Sequence, residues 1–423
     1  MSSTDQRRPD RSTERSRHGR PGGAERRRPQ HAAGAARTRH PASREGTPRQ
    51  PGDRSSTFVG LLVVTFALVL LGLVMVMSAA SVSDLRTSGS AWDSFTRQAV
   101  FATVGLTGMV LVYRRHYRIW RRLATPFLLV SFGLLLLVLV PGIGVGANGA
   151  TRWLGAGPLR LQPSELAKLA IILWSAWWLA YDRQGVQREV GEIRNRPELL
   201  RPVIVALGAC AVLLLAQPNL GTLIITAGAV GAVILLSGAR LTRLAGWAAL
   251  GLTGAAVAAM SAPYRRARVL GALDPWADPS NTGYQTVQSL VGIASGGLTG
   301  VGLGASRAKW GFLPFAHTDF IFAIIAEELG LIGALTVLGL FGAIAYFGVR
   351  AALRARDTFG MLLATGITAW FVLQAVVNLG AVVGLLPITG VPLPFVSYGG
   401  TSLVVNLLAM GVLLSVAREG WDA

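Results

Sequence analysis

Charge is scarce in this sequence. Of 423 residues only 14% are Asp, Glu, Lys or Arg, against 52% hydrophobic. Soluble domains draw about 25% of their residues from the charged four, so most of this chain could not cover an ordinary water-facing surface. Cysteine is nearly absent as well. Cys210 stands alone, which excludes an intrachain disulfide and a cysteine-based metal cluster and leaves it as a small packed residue inside an apolar run. There is no HExxH, no P-loop and no GxSxG, so neither a zinc site nor a nucleotide site can be argued. The N-terminal segment lacks the apolar stretch of a signal peptide and is expected to stay on the mature chain. No internal repeat is evident, which disfavours the inverted-repeat transporters.

Long apolar runs are what the chain has instead. A helix rises about 1.5 Å per residue, so some 20 apolar residues cross a hydrocarbon core of about 30 Å. Such runs lie near 57–80, 97–113, 123–141, 163–181, 202–217, 220–237, 243–262, 320–349, 360–384 and 401–417. The fifth and sixth are parted only by Gln217-Pro218-Asn219. The pattern predicts an all-α polytopic membrane protein with about ten transmembrane helices, organised as a tail over 1–56, a membrane domain over 57–418 and a short C-terminus over 419–423.

The formal net charge of +19 would suggest nucleic acid until it is located. Fourteen arginines and six acids lie before residue 57, among Pro, Gly and Ser. That segment cannot bury a core and is expected to be disordered. It reads as a solvated topology signal or a contact for anionic lipids or an acidic partner, with no nucleic acid as ligand. Arginine-rich connections stay cytoplasmic. After the tail come Arg114, Arg115, Arg118, Arg121 and Arg122, then Arg183, Arg188, Arg194, Arg196 and Arg201. Arg240 and Arg243 follow, then Arg350, Arg354 and Arg356, and last Arg418. These fall on every second connection, so both termini are expected to be cytoplasmic. Segments 81–96, 142–162, 263–319 and 385–400 then share the opposite face, with the long loop 263–319 between helices 7 and 8. Arg265, Arg266 and Arg268 in that loop break the charge rule. Long loops escape the rule; the alternative is that these arginines hold an anionic ligand.

Three stretches on that face could carry chemistry. In Ala316-His317-Thr318-Asp319-Phe320 a polar loop meets an apolar helix. Thr318 or Asp319 could cap that helix; an acid at the membrane boundary could equally be a general base or a metal ligand. Glu327 and Glu328 lie about two turns deeper, at most one on the face of Asp319, and buried pairing is the plainer reading for both. The second stretch contains Arg152-Trp153-Leu154 and Leu161-Gln162-Pro163-Ser164-Glu165-Leu166-Ala167-Lys168. Glu165 and Lys168 are spaced i, i+3 and can pair on one face, either for structure or for a site. The third, Gly390 to Ser402, has two prolines and three glycines ahead of the last span. Irregular backbone at this depth is tolerated where it is buried or lines a cavity.

Together these stretches resemble the SEDS family (shape, elongation, division and sporulation), over roughly 57–418. The resemblance rests on RWL at 152–154, LQPSELAK at 161–168, QPNLGT at 217–222 and LDPWADP at 273–279. It continues through GYQTVQSL at 283–290, AHTDFIFAIIAEELG at 316–330 and GVPLPFVSYGGTS at 390–402. LDPWADP and GLGASRAKW look closer to the division type than to the elongation type, and the basic tail is similar to those of actinobacterial members. The resemblance implies a peptidoglycan glycosyltransferase that polymerises lipid II in the bacterial plasma membrane. Its implied partners are a class B penicillin-binding protein acting as transpeptidase and other divisome membrane proteins. The family's essential acid maps onto Asp319. Phe315 and Asn219 stand where the family often has acids, which places more weight on Asp319. Candidate substrate-binding residues are Arg152, Glu165, Lys168, Arg265, Arg266, Arg268, His317 and Ser397. No tightly bound cofactor is expected, though Asp319 could hold a divalent metal, Mg or Mn. Rival readings are a lipid II flippase and a non-catalytic divisome scaffold.

Overall fold

The computed structural model describes residues 56–420, except 148–149, 157–158, 183, 189–190 and 261–262. The disordered tail expected before Ser56 and the last three residues therefore lie outside the described residues. In chain order the elements are α1 (Ser56–Ser88), α2 (Asp93–Arg114), α3 (Ile119–Val138), β1 (Gly144–Ala147), β2 (Ala150–Ala156), β3 (Leu159–Leu161) and α4 (Pro163–Ala180). There follow α5 (Glu192–Asn195), α6 (Arg201–Ala216), α7 (Leu220–Leu236), α8 (Leu241–Met260), α9 (Pro263–Leu273) and α10 (Tyr284–Gly296). The last three are α11 (Ile321–Leu353), α12 (Thr358–Val382) and α13 (Gly400–Glu419).

Each expected apolar run carries a helix: α1 to α4, α6 to α8 and α11 to α13. Among the described residues seven helices are long and apolar enough to cross a membrane, α6 counting with the 3-10 turn before it, and α7 falls just short at 17 residues. The narrow split between the fifth and sixth runs is real. Pro218 offers no N–H to continue a helix, so α6 ends at Ala216, and Gln217 Nε2 turns to donate to the Leu135 carbonyl of α3 at 2.9 Å. Cys210 is fully buried in α6.

Three connections differ from their sequence reading. α1 has 33 residues, roughly 50 Å at 1.5 Å each, so it extends well past Ala80, and the connection expected over 81–96 shrinks to 89–92. Segment 142–162 folds into an antiparallel sheet in the order β1-β2-β3, with Val145 opposite Trp153 and Leu154 opposite Leu161. The long loop 263–319 contains α9 and α10, and α10 is partly buried against α11, with the Ser289 hydroxyl donating to the Val382 carbonyl at 2.7 Å.

α11 is broken at Gly330, whose φ is +66°. A Cβ there would stand 2.4 Å from the Gly300 nitrogen and 2.5 Å from the Leu298 oxygen, so only glycine fits. The break frees carbonyls, and the 297–302 loop replaces the lost helical bonds. Val301 N–H donates to the Glu327 carbonyl at 3.0 Å and Gly302 N–H to that of Glu328 at 3.1 Å. The two carboxylates hold the segment that follows, 306–309. Glu327 accepts from Arg307 N–H at 2.8 Å, Ala308 N–H at 3.4 Å and the Ser306 hydroxyl. Glu328 accepts from the Ser78 hydroxyl at 2.6 Å and lies 3.5 Å from the Lys309 ammonium. The plain reading of Glu327 and Glu328 as buried, paired groups is the right one.

That arrangement carries an expectation. Hydrogen bonds to a charged group are worth about 1.5–3 kcal/mol, which is one to two decades in an opening equilibrium. Glu327→Gln should therefore raise hydrogen exchange at the Arg307 and Ala308 amides by about 10–100-fold. Unchanged exchange there would show that the loop is held by other means.

Candidate active site

The Asp319 turn is built on Phe315. Its carbonyl accepts from Thr318 N–H at 3.1 Å, Phe320 N–H at 3.3 Å and the Thr318 hydroxyl at 3.1 Å. Phe315 adopts φ +59° to close this turn, which is its role here at a position where the family often has an acid. α11 begins at Ile321 with Phe320 in the capping position, so neither Thr318 nor Asp319 occupies it. Asp319 is half-buried, its carbonyl accepting from Asn378 Nδ2 at 2.8 Å. Its carboxylate faces Gly390, where φ is +71° and a Cβ would stand 3.7 Å from Oδ2.

The irregular stretch 390–399 is gripped from several helices. Gln374 Nε2 on α12 donates to the Pro392 carbonyl and Asn378 Nδ2 to the Val391 carbonyl, both at 2.8 Å. Gln98 on α2 donates to the Ser397 carbonyl at 3.1 Å and accepts from Gly399 N–H at 3.2 Å. Tyr398 N–H donates to the His317 carbonyl at 2.9 Å. The Ser397 hydroxyl accepts from Leu393 N–H at 2.8 Å and is buried, so Ser397 shapes the loop.

Glu165 and Lys168 do pair. Nζ lies 3.0 Å from Glu165 Oε1, with side chains only 2% and 1% exposed. Burial this complete demands full satisfaction, and the surroundings provide it. Lys168 also donates to Gln374 Oε1 at 2.8 Å and sits 4.7 Å from the centre of the Trp370 ring. Glu165 Oε2 accepts from the Ser402 hydroxyl at 3.1 Å.

β2 carries Arg152 to the α6–α7 connection, where Nε donates to the Gln217 carbonyl at 3.2 Å and Nη2 to that of Pro218. Asn219, at the other position where the family often has an acid, is buried and donates to the Ser164 hydroxyl at 3.3 Å. The His317 ring meets the Tyr398 ring edge-on at 5.5 Å, and burial pushes its pKa down, a drop opposed by Asp84. A neutral imidazole can accept as well as donate a hydrogen bond. Arg266 is exposed on α9, and the side chains of Arg265 and Arg268 lie outside the described residues. Among the described residues no three His, Cys, Asp or Glu side chains come together as a metal cluster.

Contacts join parts of these connections: Tyr398 N–H donates to the His317 carbonyl and Arg86 Nη1 to the Trp310 carbonyl at 3.4 Å. From the flanking helices, Gln98 holds Ser397 and the Thr401 hydroxyl donates to the Arg160 carbonyl at 2.6 Å. Residues that bind the parts together, Gln98, Gln374 and Asn378, went unremarked in the sequence. Their signal was there: lone amides inside apolar helices, costly in a membrane unless they have partners.

The fold and site thus define a multi-pass membrane protein with a half-buried carboxylate and a buried ion pair, each held by an amide of α12. The chain belongs to the cell cycle protein family of FtsW, RodA and SpoVE, whose model matches residues 59–421. It is 41% identical over 359 residues to the probable peptidoglycan glycosyltransferase FtsW of Geobacter metallireducens, covering 85% of this chain and 94% of that one. It is 40% identical to the probable peptidoglycan glycosyltransferase FtsW of Mycobacterium tuberculosis, covering 90% of this chain and 73% of the relative. Among solved structures it is similar to a chain of a peptidoglycan synthase complex described as coordinating polymerization and crosslinking. There the TM-score is 0.70 at 33% identity, over 86% of this chain and 98% of the other.

Proposed function

We propose that this chain is an inverting peptidoglycan glycosyltransferase that polymerises lipid II, with undecaprenyl pyrophosphate as leaving group. The observation that carries the reading is the placement of Asp319: a carboxylate on a turn ahead of a membrane helix, anchored through its own carbonyl and facing glycine backbone. The acceptor 4-hydroxyl attacks the anomeric carbon of the donor sugar. The new C–O bond forms as the bond to the pyrophosphate oxygen breaks, and Asp319 takes the hydroxyl proton. A single displacement converts the α linkage of the donor to a β linkage. Inverting glycosidases use a second carboxyl as acid; pyrophosphate leaves readily, so a cation can stand in its place.

Arg152, Arg266 and the neighbouring Arg265 and Arg268 are the cations proposed for the pyrophosphate, since guanidinium groups match phosphate oxygens. Lys168 is already engaged by Glu165 and Gln374; we assign it and Glu165 to supporting the site. His317 borders the Asp319 turn and is proposed to meet the acceptor sugar. A divalent ion, Mg or Mn, fits if Asp319 and the substrate's own phosphates hold it, as Mg is commonly bound through one or two carboxylates plus phosphate oxygens. Such an ion would neutralise charge on the leaving group.

The proposed setting is the septal plasma membrane, with both termini cytoplasmic, a class B penicillin-binding protein and other divisome proteins as partners, and anionic lipids against the tail. Glu327 and Glu328 are held by local groups, as loop anchors are and as the lining of a transport path is not. The test is release of undecaprenyl pyrophosphate from labelled lipid II by the purified protein with its partner. One release per bond formed is expected. Movement of lipid II across vesicles with no release would replace this reading with a flippase, and neither with a scaffold.

A further inference from the structure

Two amides on α12 tie the Asp319 turn and the Lys168 pair to one short piece of backbone. Gln374 and Asn378 are spaced i, i+4 and share a face of the helix. Their partners fix the orientation of each amide. Gln374 Oε1 accepts from the Lys168 ammonium at 2.8 Å and from the Trp370 indole at 2.7 Å, so Nε2 is the atom that donates to the Pro392 carbonyl. Asn378 Nδ2 has two acceptors, the carbonyls of Asp319 and Val391, each at 2.8 Å. Its Oδ1 is buried with no hydrogen-bond partner among the described residues. A buried, unpaired acceptor costs stability, so packing does not explain an amide here. What the amide supplies is a clamp between the backbone of Asp319 and that of Val391, next to the Gly390 that the carboxylate faces.

We infer that Asn378 is a positioning residue for Asp319 and Gln374 for Lys168. By holding the consecutive carbonyls of Val391 and Pro392, the pair sets the spacing between the carboxylate of the site and its buried ammonium. The inference rests on the polymerase reading above. Neither amide touches reacting atoms; each acts through the residue it holds. A general base must lie within hydrogen-bond reach of the proton it removes, and a shift of about 1 Å can cost about 10²-fold in rate.

Asn378→Leu removes both donors at similar size. With purified protein, its class B penicillin-binding partner and labelled lipid II, kcat is expected to fall about 10–100-fold while KM changes by less than about twofold. The thermal midpoint should stay within a few degrees of wild type. Asn378→Asp, which can donate at most one hydrogen bond and only when protonated, should show a fall of the same kind and serves if the leucine variant does not fold. Asp319→Asn is run alongside. If wild type makes no polymer, the polymerase reading fails. If wild type polymerises, Asp319→Asn does not, and a folded Asn378 variant keeps full kcat, only the positioning role is overturned. A loss of kcat that comes with an equal loss of thermal stability and a raised KM also overturns it, because the amide then serves the fold alone.

Discussion

Asp319→Asn is expected to lower the initial rate of lipid II polymerisation by about 10²–10⁴-fold, the usual contribution of a general base. The substitution keeps size and shape and removes only the charge. It also leaves the anchor intact, because Asn378 holds the backbone carbonyl of residue 319 and not its side chain. The turn on the Phe315 carbonyl is likewise made from backbone N–H groups and the Thr318 hydroxyl. The backbone of the turn should therefore stay in place, and KM should change little. A carboxylate that only stabilised the fold would show the reverse: a lower unfolding temperature with kcat preserved. Polymerisation within tenfold of wild type by a stable Asp319→Asn protein would remove Asp319 from the role of base.

The buried pair should behave in two distinct ways. Lys168→Met strands Glu165 at 2% exposure, with the Ser402 hydroxyl its one remaining side-chain partner among the described residues. Stranding a buried charge typically costs about 3–5 kcal/mol, so this variant should unfold at a markedly lower temperature. Replacing both members, Glu165→Leu with Lys168→Met, removes the stranded charge. Such apolar replacements are often neutral or stabilising, and the double variant should recover much of the lost stability. It should not recover polymerisation, because Gln374 then loses the ammonium that helps orient it beside Trp370. Thermal unfolding in detergent and polymer yield, measured on the same preparations, separate the two effects. A double variant as active as wild type would reduce the pair to a structural one.

The difference between what could be read in advance and what could not follows the range of the interactions. Local signals were legible. Pro218 ended a helix where its missing N–H required, and Glu165 and Lys168 met because residues three apart share a helical face. Asp319 stood out as an acid at a membrane boundary. Distant contacts were not legible. α11 reads as one unbroken apolar span, yet it breaks at Gly330 because amides some 30 residues earlier in the chain, at Val301 and Gly302, satisfy its carbonyls. Gln374 and Asn378 gain meaning only from the Pro392 and Val391 carbonyls and from the Asp319 turn. The small sheet was missed for another reason. Hydropathy registers no span there, whereas Asn148-Gly149 between β1 and β2 is in itself a hairpin signal.

Polymer formation tests the central claim most directly. Purified wild-type protein, with a class B penicillin-binding protein whose transpeptidase is inactivated, would be given labelled lipid II and the product separated by length. The account predicts long glycan strands that a muramidase specific for β linkages cuts to disaccharide units, formed about 10²–10⁴-fold more slowly by Asp319→Asn. Lipid II left intact by wild type, with the partner shown to be bound, would contradict it.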